Sequence, residues 1–233
     1  MKFATLVALA GCIAFVSSSA MPVMAAVPGD PASAIQGLPP ATAAKFVEVA
    51  ATTKILGLLR TGGYALYLRH GPTDNTIPDR LPTVDLSDCH TQRPLSEAGR
   101  HLMAKVGDSV RKARISIGEL RVSPMCRAKE SAAAAFPKLS PVVDNNLMYV
   151  ANFTDVEKAP IIANVRALLS TPVPIGSNRL VLAHAPNLMD LMGYFPREGT
   201  LVIFRPKGAK AGFDYVASIP PELWVSLLRQ DSK

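Results

Sequence analysis

The alternation of strand-like and helical patterns constrains the fold of this chain more than any other feature of its sequence. Apolar runs typical of buried strands lie at residues 64–68, 120–122, 179–183, 201–204 and 215–219. Helical patterns lie at residues 41–60, 96–113, 127–136, 155–169 and 221–228. This order predicts an α/β fold, a three-layer sandwich with a largely parallel sheet flanked by helices. We expect the first helix to close at Gly62 and Gly63.

The first 40 residues are predicted to lie outside this domain. Lys2, the apolar run after it and the small residues up to Ala25 are typical of a secretory signal peptide at residues 1–25. Residues 26–40 are rich in Pro and Ala and predict a linker, followed by one domain at 41–233. Export predicts a periplasmic or secreted protein.

A lipid anchor at Cys12 is the alternative to cleavage after Ala25. Leu9-Ala-Gly-Cys12 resembles a lipobox, but the apolar segment before Cys12 is short and apolar residues continue beyond it. We therefore rank the anchor second. The apolar stretch is also shorter than the roughly 18 to 20 residues that spanning a bilayer requires, which predicts no transmembrane span in the mature form.

The charge of the chain favours anionic ligands without indicating nucleic acid. The 233 residues carry a formal net charge of +7. The densest basic cluster is Arg111, Lys112 and Arg114, which falls on an amphipathic helical pattern and is interpreted as a solvated helix face. Because the other basic residues are scattered, a phosphorylated small molecule or envelope component is a better predicted partner than nucleic acid.

Side chains suited to phosphate chemistry follow three of the predicted strands. Arg69-His70-Gly71 follows the first strand, Ser123-Pro-Met-Cys-Arg127 follows the second, and His184 follows the strand at 179–183. Ligands of parallel sheets bind beyond the carboxyl ends of the strands, so these residues are expected to converge. Between the first two segments, residues 92–100 read Gln-Arg-Pro-Leu-Ser-Glu-Ala-Gly-Arg and open a helix.

These four segments resemble the motifs of the histidine phosphatase superfamily, which includes phosphoglycerate mutases and acid phosphatases. They match its Arg-His-Gly signature, its Leu-(Ser/Thr)-x-x-Gly segment, its arginine three residues after Ser-Pro, and its second catalytic histidine. The matches occur in the family's order and span about Gly62 to Trp224. The resemblance implies a phosphoglycerate mutase-like fold, and we interpret the chain as a small secreted bacterial-type member.

The resemblance implies a covalent phosphohistidine on His70, with the phosphate held by Arg69, Arg127 and His184. An unprotonated imidazole nitrogen can attack phosphorus in line, and guanidinium groups bind phosphoryl oxygens bidentately. In the family, a backbone carbonyl orients the nucleophile, and a residue without Cβ at Gly71 would let the backbone approach the ring. A protonated His184 would add another positive donor.

Other kinds of active site are disfavoured by the sequence. Family members work without a metal, and the chain has no His-x-x-x-His or Cys-x-x-Cys pattern, so neither metal nor cofactor is predicted. The Gly-x-Ser-x-Gly elbow of serine hydrolases is also missing from the sequence. Mutase activity is disfavoured because Thr76 stands where the mutases carry Asn, and because phosphoglycerates are cytoplasmic.

The general acid that protonates the leaving group has no clear motif. In the acid phosphatase branch it is an Asp directly after the second histidine, but Ala185 stands there in this chain. The sequence leaves several possibilities open, namely Asp144, Asp155, Glu157 and Glu198, or no acid at all.

Three further features stay open at the level of sequence. Cys89 and Cys126 could form a disulfide after export, or remain two separate buried thiols. Arg93 could contact the substrate or act as a structural ion-pair partner. His90 and His101 match no family position, and we interpret both as surface residues.

The combined prediction is an exported phosphatase that hydrolyses a phosphomonoester or other phosphoryl compound through His70. The alternative is a non-catalytic phosphate-binding or envelope scaffold protein on the same fold. Substrate specificity is expected to reside in the irregular stretches at residues 72–91 and 144–154.

Overall fold

A computed structural model describes residues 45–80 and 84–232 of the chain. The predicted signal peptide at 1–25, the linker at 26–40 and the alternative lipid anchor at Cys12 lie outside these residues. Within the part that the structure describes, no helix is long and apolar enough to cross a bilayer.

Six strands form one mixed sheet in the order β3-β2-β4-β1-β5-β6. The strands are β1 Ala65–Arg69, β2 Ile117–Val122, β3 Val142–Val143, β4 Asn178–Ala183, β5 Leu201–Pro206 and β6 Phe213–Ile219. Strands β3, β2, β4 and β1 run parallel to one another, whereas β5 is antiparallel to both of its neighbours, β1 and β6. The predicted largely parallel sheet is confirmed.

Helices cover both faces of the sheet. They are α1 Thr53–Thr61, α2 Glu97–Lys112, α3 Cys126–Ala135, α4 Asp155–Ser170, α5 Ala185–Met192 and α6 Leu223–Asp231. Because strand side chains alternate between faces, Leu66 and Leu68 of β1 pack with α1, α2, α3 and α6, whereas Ala65 and Tyr67 pack with α4 and α5. These two cores make the three layers.

The helix predicted over residues 41–60 is wrong in its first half, as far as the structure describes it. Residues 45–52 are extended, and Ala50 forms a parallel bridge with Ser218 of β6. The N–H of Ser218 donates to Val49 O (2.8 Å) and the N–H of Ala51 donates to Ser218 O (3.0 Å). The β-branched valines here suit an extended strand edge better than a helix.

Helix α1 ends where the sequence predicts, at Gly62 and Gly63. Gly62, at the predicted closing position, has φ +76°, a left-handed conformation that glycine adopts without strain. Two other elements were not predicted. Strand β3 has only two residues, and α5 has only eight, which is too short for a helical period to stand out after a strand.

The topology brings the predicted catalytic segments to one edge of the sheet. Strands β2, β4 and β1 are parallel neighbours, so their carboxyl ends lie side by side. Ser123, His184 and His70 each follow one of these ends. The segments predicted to carry the site therefore lie next to one another at this edge.

Candidate active site

The structure brings together all four residues predicted to carry the chemistry. The rings of His70 and His184 lie edge to face with their centroids 5.2 Å apart. The His184 ring is 5.5 Å from the ring of Tyr149, and the guanidinium of Arg127 stacks 5.0 Å from that same ring. Arg69 precedes His70 directly in the chain.

His70 has the geometry of a nucleophile. Its Nδ1 donates to the backbone oxygen of Gly71 at 2.7 Å, so Nε2 is the nitrogen without a proton. Burial of the ring, followed by the charge of Arg127, lowers the pKa of His70 to about 3. The imidazole is therefore neutral at physiological pH, as attack on phosphorus requires.

The predicted orienting carbonyl is present, and Gly71 also lies against helix α2. A Cβ at Gly71 would lie 2.8 Å from the backbone oxygen of Gly99 and 2.8 Å from Cγ of Met103, both in α2. A Cβ at Gly99 would lie 2.1 Å from Pro72 O. The two glycines thus allow α2 to pack closely against the segment that follows His70.

His184 is completely buried and neutral. Its Nε2 lies 2.7 Å from Oγ of Ser123, and that hydroxyl accepts the N–H of Met125 at 3.3 Å. We infer that Ser123 donates to Nε2, which leaves Nδ1–H as a buried donor with no partner among the described residues. Burial, followed by the charge of Arg127, lowers the pKa of His184 well below its ordinary value. Before an anion binds, His184 is a neutral donor and not the positive one considered above.

Arg127 lies in the first turn of α3 with no exposed surface. Its Nη1 is 3.0 and 3.3 Å from the two carboxylate oxygens of Asp79. Its Nε and Nη2 are buried and have no partner in the described part of the chain. These two N–H-bearing atoms are available to a ligand oxyanion.

Arg69 ends β1 on a more open side of the site. Its Nη1 donates to the backbone oxygen of Pro196 at 2.8 Å, and its Nη2 lies 3.4 Å from Glu198 Oε1. The guanidinium also stacks 5.0 Å from the ring of Phe195. The N–H of Gly199 donates to the backbone oxygens of Arg69 and His70, both at 3.2 Å, so the loop that carries Glu198 is hydrogen-bonded to the end of β1 and to His70.

Only one of the four candidate acids contacts this site. Glu198 pairs with Arg69, whereas Asp144 accepts from Asn164 and from the N–H of Asn146. Glu157 completes the capping box of α4 and Asp155 lies in the first turn of that helix. In the hydrogen bonds and ion pairs of residues 45–80 and 84–232, these last three do not contact the four site residues.

Sequence reasoning missed two residues of the site, Asp79 and Tyr149. Asp79 lies in the irregular loop after His70, and Tyr149 lies in the loop before α4. Both fall within the stretches expected to carry specificity, but neither belongs to a motif. A lone carboxylate in such a loop gives no signal until its arginine partner is known.

Cys89 and Cys126 form a disulfide, which settles the alternative left open above. The bond ties the loop before α2 to the residue next to Arg127. Gln92 strengthens the connection, because its Oε1 accepts the N–H of Cys126 at 2.8 Å and its Nε2 donates to Asp85 O at 2.9 Å. The start of α3 is thus anchored from outside the helix.

Three remaining candidates are placed by their exposure and contacts. His90 and His101 are exposed, as predicted. Arg93 donates through Nη1 to Asn75 Oδ1 at 3.1 Å and forms no ion pair with a described carboxylate. No group of three or more His, Cys, Asp or Glu side chains in the described ranges is arranged to hold a metal ion.

No protein-family model matches the chain, and no curated protein matches it either. Among solved structures, one described as mycobacterial hydrolase 1 matches with a TM-score of 0.50 and 14% identity, covering 67% of this chain and 99% of that one. The predicted architecture, a three-layer α/β sandwich with a largely parallel sheet, is confirmed.

Two solved structures of phosphatases match the chain with TM-scores below 0.50. The protein histidine phosphatase SixA complexed with tungstate has a TM-score of 0.47 at 16% identity, covering 68% of this chain and 97% of that one. Mycobacterial glucosyl-3-phosphoglycerate phosphatase Rv2419c with inorganic phosphate also has a TM-score of 0.47 at 16% identity, covering 69% and 99%. At such identities a likeness concerns the fold, and activity has to be argued from the site.

Proposed function

We propose that this chain is an exported phosphatase of the histidine phosphatase superfamily, which hydrolyses a phosphomonoester or other phosphoryl compound. The observation that carries the proposal is the hydrogen bond from His70 Nδ1 to Gly71 O at 2.7 Å. With the pKa of His70 lowered to about 3, this bond leaves Nε2 free for nucleophilic attack.

In the first step, Nε2 of His70 attacks phosphorus. A nitrogen–phosphorus bond forms as the ester phosphorus–oxygen bond breaks, and the electron pair of that bond leaves with the oxygen. Arg69, Arg127 and Nδ1–H of His184 donate to the phosphoryl oxygens, whose negative charge is spread through the transition state.

In its protonated form, Glu198 supplies the proton that the leaving oxygen takes. It contacts Arg69 on the open side of the site, beside a cleft that Pro72 and Pro221 also line. The leaving group is the bulk of the substrate and needs this open side. Asp79 is nearly closed off, with 11% of its side chain exposed and both oxygens on Arg127, so it positions that arginine.

In the second step, water attacks phosphorus and the bond to Nε2 breaks. The electron pair returns to the imidazole, the carboxylate of Glu198 accepts the proton of the water, and inorganic phosphate leaves. His70 and Glu198 are then back in their starting states. The substrate class that fits an exported enzyme is a phosphorylated small molecule or envelope component.

The experiment that tests the activity is phosphate release from p-nitrophenyl phosphate and a panel of biological phosphates, with chelator present. We expect turnover and an acid-labile phosphoenzyme in the unmodified protein, and the loss of both in His70→Ala. His101→Asn is the matched control, because it removes an exposed histidine of α2. If the unmodified protein bound vanadate but gave neither turnover nor phosphoenzyme, the non-catalytic scaffold would replace the enzyme.

Export is tested separately by cell fractionation and by the intact mass of the purified protein. Cleavage after Ala25 predicts a mature chain that begins at Ala26 and appears in the periplasm or the medium. A diacylated N-terminus at Cys12 would replace this with the lipid-anchored form. A full-length chain in the cytoplasm would contradict export.

A further inference from the structure

A third arginine, Arg93, lies beside the candidate active site, and it has no carboxylate partner among residues 45–80 and 84–232, unlike Arg69 and Arg127. Its backbone N–H donates to Asp79 Oδ1 at 2.8 Å. The same oxygen is 3.0 Å from Nη1 of Arg127. A single carboxylate therefore separates the backbone of Arg93 from an arginine that would hold the reacting phosphoryl group.

The position of Arg93 is fixed by the neighbouring residues. Gln92 accepts the backbone N–H of Cys126 at 2.8 Å, and the disulfide between Cys89 and Cys126 ties the same segment to α3. Because Cys126 directly precedes Arg127, the segment that carries Arg93 is anchored to the phosphate-binding turn. A preorganised side chain loses less entropy when a ligand binds.

The guanidinium of Arg93 has N–H donors that its hydrogen bond to Asn75 does not use. Nη1 donates to the neutral side chain of Asn75 at 3.1 Å, while Nε is buried without a partner in the described part of the protein. A buried donor that lacks an acceptor is costly, and an arginine fork fits the paired oxygens of a phosphate or carboxylate. An oxyanion would supply the acceptor that Nε of Arg93 lacks among the described residues.

The positive charge of Arg93 affects the pKa values of the four site residues. It is one of the charges that lower the pKa values of His70 and His184, and also those of Arg69 and Arg127. An oxyanion held by Arg93 would therefore lie near the phosphoryl group held by these four residues.

We propose that Arg93 binds a second anionic group of the substrate, a phosphate or carboxylate close to the scissile phosphoryl group. The proposal rests on the function proposed above, in which Arg69, Arg127 and His184 hold the phosphoryl group that reacts. Substrates of this class are diphosphates, bisphosphates and phosphorylated carboxylic acids. Asn75 acts as the positioning residue for the guanidinium.

The test compares Arg93→Gln with the unmodified protein on three substrates, namely p-nitrophenyl phosphate, inorganic pyrophosphate and phosphoenolpyruvate. We expect kcat/KM to fall by about tenfold or more on the substrate whose second group Arg93 binds, mainly through KM, and by less than about threefold on p-nitrophenyl phosphate. Pyrophosphate and phosphoenolpyruvate distinguish a second phosphate from a carboxylate.

Two variants control for charge and for the shape of the side chain. Arg93→Lys keeps the charge but loses the fork, so an intermediate loss is expected. Arg80→Gln removes one positive charge from the same loop at an exposed position, and the substrate preference is expected to stay unchanged. If Arg93→Gln lowered kcat/KM equally on all three substrates, Arg93 would bind the scissile phosphoryl group. If it lowered kcat/KM on none of them, Arg93 would have a structural role. Either result would overturn the proposal.

Binding separates this proposal from the proposed function. In the His70→Ala background, competition calorimetry compares pyrophosphate, phosphoenolpyruvate and phosphate, with and without Arg93→Gln. Tighter binding of pyrophosphate or phosphoenolpyruvate than of phosphate, lost with Arg93, would support the second site even if no turnover were ever found. Equal binding of all three by both proteins would overturn it, whatever the activity.

Discussion

The two arginines that would hold the phosphoryl group lie in contrasting surroundings. Arg127 has no exposed surface and both oxygens of Asp79 against one nitrogen, at 3.0 and 3.3 Å. Arg69 keeps 15% of its side chain exposed and has Glu198 at 3.4 Å. Arg127 is fixed before a ligand arrives, whereas Arg69 and Glu198 border an open cleft.

This contrast gives the two arginines different roles in the proposed reaction. A buried, preorganised guanidinium stabilises charge in the transition state without having to reorganise. A partly exposed guanidinium with a looser acid beside it suits the side where the substrate enters and the leaving group departs. The two carboxylates should therefore have different roles, although each pairs with an arginine.

The largest expected effect distinguishes the two arginines. Arg127→Gln should lower kcat/KM on p-nitrophenyl phosphate by about 10³-fold, since an arginine at a transferring phosphoryl group contributes on this order. Arg69→Gln should lower kcat/KM by about 10²-fold, because water can partly replace the guanidinium of a partly exposed arginine. Equal losses in the two variants would remove the distinction between a fixed and an open side.

The next prediction distinguishes the two carboxylates by the leaving group. Glu198→Gln should lower kcat by about 10²-fold on an alkyl phosphate and much less on p-nitrophenyl phosphate, whose phenolate leaves without a proton. Asp79→Asn should lower activity on both substrates to a similar degree, because it disturbs Arg127 and not the proton transfer.

A series of aryl and alkyl phosphates provides the measurement, with log kcat plotted against the pKa of the leaving group. Glu198→Gln is expected to steepen this dependence, and Asp79→Asn to shift it without changing its slope. If the steepening appeared with Asp79→Asn instead, the roles of the two carboxylates would be exchanged.

The same contrast shows what the sequence could predict. The four predicted site residues lie at strand ends or in the first turn of a helix, so strand order and motif spacing place them at one edge of the sheet. They are Arg69, His70, Arg127 and His184. Asp79 lies in a loop, and its contact with Arg127 depends on tertiary folding that no local pattern encodes.

The wrong helix prediction has a comparable physical origin. The apolar residues before α1 have helical spacing, but pairing with Ser218 at the sheet edge overrides that pattern. The close packing of Gly71 against helix α2 is likewise missing from any local pattern, because it joins residues distant in the sequence.

The disulfide anchors the Arg127 side, since Cys126 precedes that arginine. A double Cys89→Ser, Cys126→Ser variant should lose about 2–4 kcal/mol of unfolding free energy, because the bond closes a long loop, with a sequence separation of 37 residues. Urea unfolding measures the loss. Activity under native conditions should fall as well, because the positions of Arg127 and Arg93 loosen. Unchanged stability would show that Gln92 and the helix packing suffice.

The smallest expected effect concerns the pKa of His70, which both arginines lower. Arg127 is a larger cause of the lowering than Arg69, so Arg127→Gln should raise the pKa of His70 more than Arg69→Gln does. Titration of the His70 ring by NMR measures both shifts. A larger shift with Arg69→Gln would place the stronger field on the open side.

The lowered pKa also makes folding depend on pH, with a definite sign. An unfolded histidine takes up a proton near pH 6.5, whereas folded His70 does so only near pH 3. Between these values the unfolded state binds one more proton, so the unfolding free energy falls by about 1.4 kcal/mol for each pH unit of acidification. His184, whose pKa is also lowered, acts in the same direction.

His70→Asn should make this decline in unfolding free energy shallower by about 1.4 kcal/mol for each pH unit. Urea unfolding at pH 6, 5 and 4 measures the decline, with His101→Asn as the control. An unchanged slope would mean that His70 gains its proton in the folded protein as easily as in the unfolded chain, so that neither its burial nor the charges of the two arginines lower its pKa.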